Sequence, residues 1–130
     1  MARFCVTPRT KIIYLANPNN PTGTANTEAD LLAFVRGLPD HVVAVVDEAY
    51  ADFAEETALP LARERENVIV LRTFSKSFSL AGMRIGLGFA HLRIIDGLNA
   101  TLAFYAWPGQ RGTRAGAGES TAGVATRRRH

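Results

Sequence analysis

The sequence predicts an α/β domain, a mostly parallel sheet of about four strands flanked by helices. Three observations point there. Short apolar runs at 12–16, 42–46 and 68–71 carry many β-branched residues and do not alternate with polar ones, the pattern of strands covered on both faces. Stretches with helical spacing separate these runs. A polar or breaker-rich cluster follows each run, where chemistry collects in such sheets, beyond the strand carboxyl ends.

The first run, IIYLA at 12–16, leads into NPNNPTG at 17–23. Two prolines restrict the backbone there and Gly23 permits angles other residues avoid, so a strand is expected to turn sharply. Thr27 and Asp30 have the spacing of a capping box, although Asp is shorter than the usual Glu. Leu31, Leu32, Phe34, Val35 and Leu38 then form an apolar helical face, which Gly37-Leu38-Pro39 ends. VVAVV at 42–46 is the second strand, with Asp47 and Glu48 at its carboxyl end. If the strand continues, Glu48 points to the face opposite Asp47 and is a structural polar neighbour. Residues 58–66 fit a short helix, VIVL at 68–71 a third strand, LGFA at 87–90 a fourth with Ile85 as an alternative start, and LRIIDGL at 92–98 the beginning of another helix.

The 130 residues are 47% hydrophobic and 21% charged, enough for one modest core and too few for two. Lys and Arg number 15 against 12 Asp and Glu, but residues 106–130 hold five Arg and one acidic residue. The body is therefore almost neutral, and a basic footprint for nucleic acid applies only to the tail. A single cysteine, Cys5, excludes an internal disulfide and a Cys-rich zinc site, leaving a reducing cytoplasm as the default setting. No apolar stretch reaches membrane-spanning length, and the start lacks the pattern of a signal peptide. No metal site is expected: His41 and His91 border strands, and His130 lies in the tail. Beyond Tyr105, five Gly, five Ala and five Arg in 25 residues supply little apolar mass, so 106–130 is expected to be a disordered Arg/Gly/Ala-rich tail.

Polar groups gather behind the strands: Asn20 after the first, Asp47 and Tyr50 after the second, Thr73, Ser75, Lys76 and Arg84 after the third. Each has an ordinary reading when taken singly. Asn20 closes an Asx turn, Asp47 caps a turn, Tyr50 packs half-buried, and Lys76 and Arg84 are surface charges. Together, a carboxylate, a phenol, an amine able to form an imine, and a guanidinium with hydroxyls would satisfy a phosphorylated aldehyde cofactor. Composition does not specify that cofactor. Phe53 and Phe74 read as packing residues, and Gly82 and Gly86 as allowing close backbone approach near Arg84.

NPNNPTG (17–23), VVDEAYADF (45–53) and RTFSKSFSLAGMRIG (72–86), in this order and spacing, resemble the signature segments of class I/II pyridoxal-phosphate-dependent aminotransferases of the aspartate-aminotransferase fold, most of all the histidinol-phosphate aminotransferases. The resemblance covers roughly residues 6–98. It implies that residues 1–105 are an incomplete cofactor-binding large domain of fold type I, whose last strand is antiparallel, with pyridoxal 5'-phosphate (PLP) as cofactor. It also implies roles. Lys76 bonds covalently to the cofactor and shuttles the substrate proton; Asp47 pairs with the pyridine nitrogen; Tyr50 and Asn20 hold the ring's phenolic oxygen; Arg84, Thr73 and Ser75 hold the phosphate.

By the same resemblance, the reaction is amino-group exchange between a small-molecule amino donor and a keto acceptor, in the closest case histidinol phosphate and 2-oxoglutarate in histidine biosynthesis. The complete enzymes are homodimers. This chain is expected to begin inside the large domain and to end before the small domain that grips the substrate, so that by itself it would be inactive. A shifted reading frame is one expectation for the abrupt tail. A related PLP-dependent decarboxylase, such as a threonine-phosphate decarboxylase, and a non-catalytic remnant are the alternatives.

Overall fold

The computed structural model describes residues 6–83, 85–105, 113–115 and 122–127. The chain runs β1 (Ile12–Ala16), α1 (Glu28–Arg36), β2 (Val43–Asp47), α2 (Leu59–Glu64), β3 (Val68–Thr73), β4 (Ile85–Ala90), α3 (Leu92–Tyr105), β5 (Thr113–Ala115) and β6 (Ala122–Arg127). Short 3₁₀ turns occupy Ala51–Phe53 and Ala81–Met83.

The sheet order is β1-β2-β3-β4-β6-β5. β1, β2 and β3 are parallel, in a register that aligns Ala16 with Asp47 and Asp47 with Leu71. β4 runs antiparallel to β3 and pairs Thr73 with Gly86. These four strands with flanking helices form the predicted architecture, including its antiparallel last strand. Three carboxyl ends, at Ala16, Asp47 and Thr73, consequently open onto one edge of the sheet.

The helices form where their caps and apolar faces dictate. Thr27 Oγ1 accepts the Asp30 N–H at 3.1 Å, and the Asp30 carboxylate returns to the Thr27 N–H at 3.4 Å. The short Asp side chain thus closes the capping box. Leu31, Val35 and Leu38 face inward and pack with Val42, Ala44, Val46, Leu61, Val68 and Val70. Each of the buried Val and Leu side chains among these contributes about 1.5–3 kcal/mol. Across the sheet, Ile95 of α3 packs with Ala90 and Ile69 in a smaller cluster.

β5 and β6 lie within 106–130, the segment read from composition as a tail, and they follow the four predicted strands in the sheet order. β6 pairs with β4 from Ile85↔Arg127 to Ala90↔Ala122. A strand added at an edge is held by backbone hydrogen bonds, which a count of large apolar side chains does not register. The rest of 106–130 and Cys5 lie outside the described residues. No helix among the described residues is long and apolar enough to cross a membrane.

Candidate active site

The loop after β1 is built around Asn17, which is only 4% exposed. Its Oδ1 accepts the Asn26 N–H at 2.7 Å, and its own N–H donates to the Asp47 carbonyl at 2.9 Å. The loop's two ends are thereby pinned to each other and to β2. Inside it, the Gly23 N–H donates to the Asn19 carbonyl at 2.8 Å. Gly23 adopts φ +70°, in the region that L side chains rarely occupy, so the breaker-rich reading has a specific cause. This turn presents Asn20 on the outside, where Nδ2 donates to the Tyr50 hydroxyl at 2.9 Å.

Asp47 ends β2 with a half-buried carboxylate. Its Oδ1 accepts the Ala49 N–H at 2.9 Å and its Oδ2 accepts the Tyr14 hydroxyl at 2.7 Å. Tyr14 escaped the sequence reading, which counted it as one residue of an apolar strand. Partial desolvation, then the hydrogen bond to Asp47 and that carboxylate's charge, push the Tyr14 phenol from its ordinary 10.0 up to about 12. Tyr14 is therefore a hydrogen-bond donor throughout the neutral range.

Tyr50 opens the 3₁₀ turn three residues beyond Asp47, and its ring lies 5.1 Å from Lys76 Nζ, centroid to nitrogen. That spacing is a cation–π contact when the amine is charged. A second link runs alongside it: the Ser77 hydroxyl donates to Asp52 Oδ2, tying the Lys76 loop to the Tyr50 turn. Asn20, Tyr50 and Lys76, from three separate loops, are thus brought together, with Asp47 at the base of the second loop. An open cleft of about 340 Å³ lies on the Asn20 and Tyr50 side of this group, lined by Pro18, Asn20, Pro21, Gly23, Tyr50 and Phe53 among others but by neither Asp47 nor Lys76.

Thr73 and Ser75 form a neighbouring pair, in which Thr73 Oγ1 accepts the Ser75 N–H at 3.1 Å. The expectation for Arg84 falls outside the described residues. At Gly86 a Cβ would stand 3.2 Å from the Arg72 carbonyl oxygen, a tight approach between neighbouring strands, whereas at Gly82 the space is open. Phe53 departs from the packing role expected of it. It is 72% exposed beside Tyr50, at 6.4 Å between centroids, because the 3₁₀ turn carries it away from the core. Phe74 instead meets Phe78 edge-on at 5.2 Å.

Glu48 is 2% exposed and takes the structural role expected of it. It accepts from Arg72 Nε at 2.9 Å, from the Thr57 hydroxyl at 3.0 Å and from the Ala58 N–H, and forms an ion pair with Arg72 Nη2 at 2.8 Å. A buried carboxylate demands such compensation. The result fastens the start of α2 to β3 behind the site. Among the described residues, no three His, Cys, Asp or Glu side chains gather in a metal-holding group.

The fold and these groups together describe a polar cradle at the carboxyl edge of a mostly parallel sheet. Comparison with known proteins places the chain in a family. Residues 5–124 match the family model "Aminotransferase class I and II", and the chain belongs to this family. It is 44% identical over 105 residues to the aromatic amino acid aminotransferase of Thermobifida fusca, covering 78% of this chain and 29% of that one. It is 50% identical over 96 residues to the histidinol-phosphate aminotransferase of Ruegeria pomeroyi, covering 72% and 27%. Among solved structures it resembles histidinol-phosphate aminotransferase from Sinorhizobium meliloti in complex with pyridoxal-5'-phosphate, at 40% identity and TM-score 0.55, covering 58% of this chain and 22% of that one. The chain spans less than a third of the length of the curated relatives it matches.

Proposed function

We propose that this chain is the cofactor-binding part of a PLP-dependent aminotransferase, and that the post-strand loops hold one PLP molecule. The observation that carries the reading is the meeting of Asn20, Tyr50 and Lys76, with the anchored carboxylate of Asp47 at the end of β2, three residues before Tyr50. The donor set fits the cofactor group by group. A carboxylate suits a protonated pyridine nitrogen, and the phenol and amide suit a phenolic oxygen. The Thr73 and Ser75 hydroxyls with the Arg84 guanidinium suit a phosphate. PLP, when bound, supplies an aldehyde that reacts with amines and a ring that accepts electrons from a broken C–H bond.

The chain's own groups divide the work. Asn20 donates to the Tyr50 oxygen, which leaves the phenol's own proton free to be donated onward. Asp47 has one protein donor on each oxygen and keeps acceptor capacity on both. Lys76 would hold the cofactor through Nζ, and its free amine would serve as the base that moves a proton at that atom. Its exposure and its tether through Ser77 and Asp52 let that amine reach outward without leaving the site.

For the whole length of such a protein, the reaction proposed is amino-group exchange between an L-amino donor and a keto acceptor. Histidinol phosphate with 2-oxoglutarate and an aromatic amino acid with a keto acid are the two substrate pairs that the relatives' names support. The test is a PLP titration of the chain followed by absorbance. Saturation at one PLP per chain is expected, and absence of saturable uptake by the folded chain contradicts the reading. Where turnover accompanies binding, keto-acid product supports transamination and carbon dioxide release supports a decarboxylase instead.

A further inference from the structure

We propose that Tyr14 is a positioning residue for Asp47, holding the carboxylate in the plane from which it meets the cofactor. This inference rests on the PLP-binding reading above and adds to it a residue outside the three motif segments.

The placement follows from register. β1 and β2 are parallel, with Tyr14 opposite Val45 and Ala16 opposite Asp47. Side chains two apart along a strand share a face, so Tyr14 and Asp47 project from the same side of neighbouring strands, offset by two residues. A phenol is long enough to cover that offset. Its hydroxyl meets Oδ2 at 2.7 Å, the length of a good O–H···O bond to a carboxylate.

The two bonds on Asp47 act together. A carboxylate held only through Oδ1 by the Ala49 N–H can still swing about its side-chain torsion. A second donor on Oδ2 removes that freedom, while a carboxylate's remaining lone pairs stay available. Ordering the group before the cofactor arrives lowers the entropy lost on binding.

A core-packing role does not account for Tyr14. It is 57% exposed, whereas its strand neighbours Ile13 and Leu15 pack against the main core from the other face. Its directional contact is the hydroxyl, and that contact spans 33 residues of sequence.

A double-mutant cycle separates positioning from support of the strand. PLP dissociation constants are measured for the wild-type chain, Tyr14→Phe, Asp47→Asn and the double variant, with far-UV circular dichroism as the check on folding. Tyr14→Phe is expected to weaken PLP binding about three- to tenfold with Asp47 present, and less than twofold in the Asp47→Asn background. Equal losses in the two backgrounds, or no loss beside Asp47, overturn the proposal. A second readout needs no cofactor. The Tyr14 phenolate band, isolated as wild type minus Tyr14→Phe, should appear well above the ordinary phenol range and return toward it in Asp47→Asn. An ordinary midpoint in the wild-type chain means that the bond is absent, and the proposal falls. Folded wild type that takes up no PLP overturns both readings, whereas PLP uptake indifferent to Tyr14→Phe overturns this one alone.

Discussion

Asn20 Nδ2 donates to the Tyr50 hydroxyl at 2.9 Å, across 30 residues of sequence, and joins the loop after β1 to the turn after β2. Because the Tyr50 oxygen is occupied as an acceptor, its proton is left to point elsewhere. Asn20→Ala removes that orientation without disturbing the buried Asn17 that pins the loop. PLP affinity should fall about three- to tenfold, with the unfolding midpoint in urea nearly unchanged. A large fall in the midpoint would show that Asn20 serves the loop rather than the ligand.

Glu48 and Arg72 should govern stability. Glu48→Ala leaves Arg72 without its countercharge and the Ala58 N–H without its partner. Breaking a buried pair costs about 3–5 kcal/mol. The Arg72 side chain is 30% exposed and recovers some hydration, so a loss of about 2–4 kcal/mol is expected. Equilibrium urea unfolding measures it directly, and a loss below about 1 kcal/mol would place the pair among weak surface contacts.

The Thr27–Asp30 capping box supplies a smaller term. Thr27→Ala deletes the acceptor of the Asp30 N–H and should cost about 1 kcal/mol. Thr27→Ser keeps the hydroxyl and should cost much less, so comparing their unfolding midpoints isolates the cap.

Tyr14 makes stability depend on pH on the alkaline side. Its phenol is raised from 10.0 to about 12 in the folded chain, so between those values the folded state retains a proton that the unfolded state has lost. Stability from this group is complete below pH 10 and declines as pH rises through about 12. Urea midpoints followed from pH 9 upward should fall more steeply in the wild-type chain than in Tyr14→Phe. Parallel curves would contradict the stated cause.

Much of this was legible along the chain. Apolar β-branched runs mark β2 and β3, the Thr27–Asp30 spacing marks the start of α1, and Asn20, Asp47, Tyr50 and Lys76 stand out as polar groups behind strands. Tyr14 did not stand out, because a tyrosine inside IIYLA satisfies an apolar pattern and its partner sits on another strand. Arg72 was hidden similarly, since its pairing with Glu48 depends on the β2–β3 register. β5 and β6 were missed because composition counts side chains, and edge pairing is a backbone property.

The central claim is that one PLP molecule is held by the loops around Asp47 and Lys76, and the chain contains its own control. It has two lysines, Lys76 in the cradle and the exposed Lys11 just before the opposite end of β1. The direct measurement is borohydride reduction of the chain with one equivalent of PLP, followed by peptide mapping. Modification concentrated on Lys76, with Lys11 nearly untouched and the preference lost in Asp47→Ala, is the predicted result. Equal labelling of both lysines in the folded chain, or a preference for Lys76 that survives Asp47→Ala undiminished, would contradict the account.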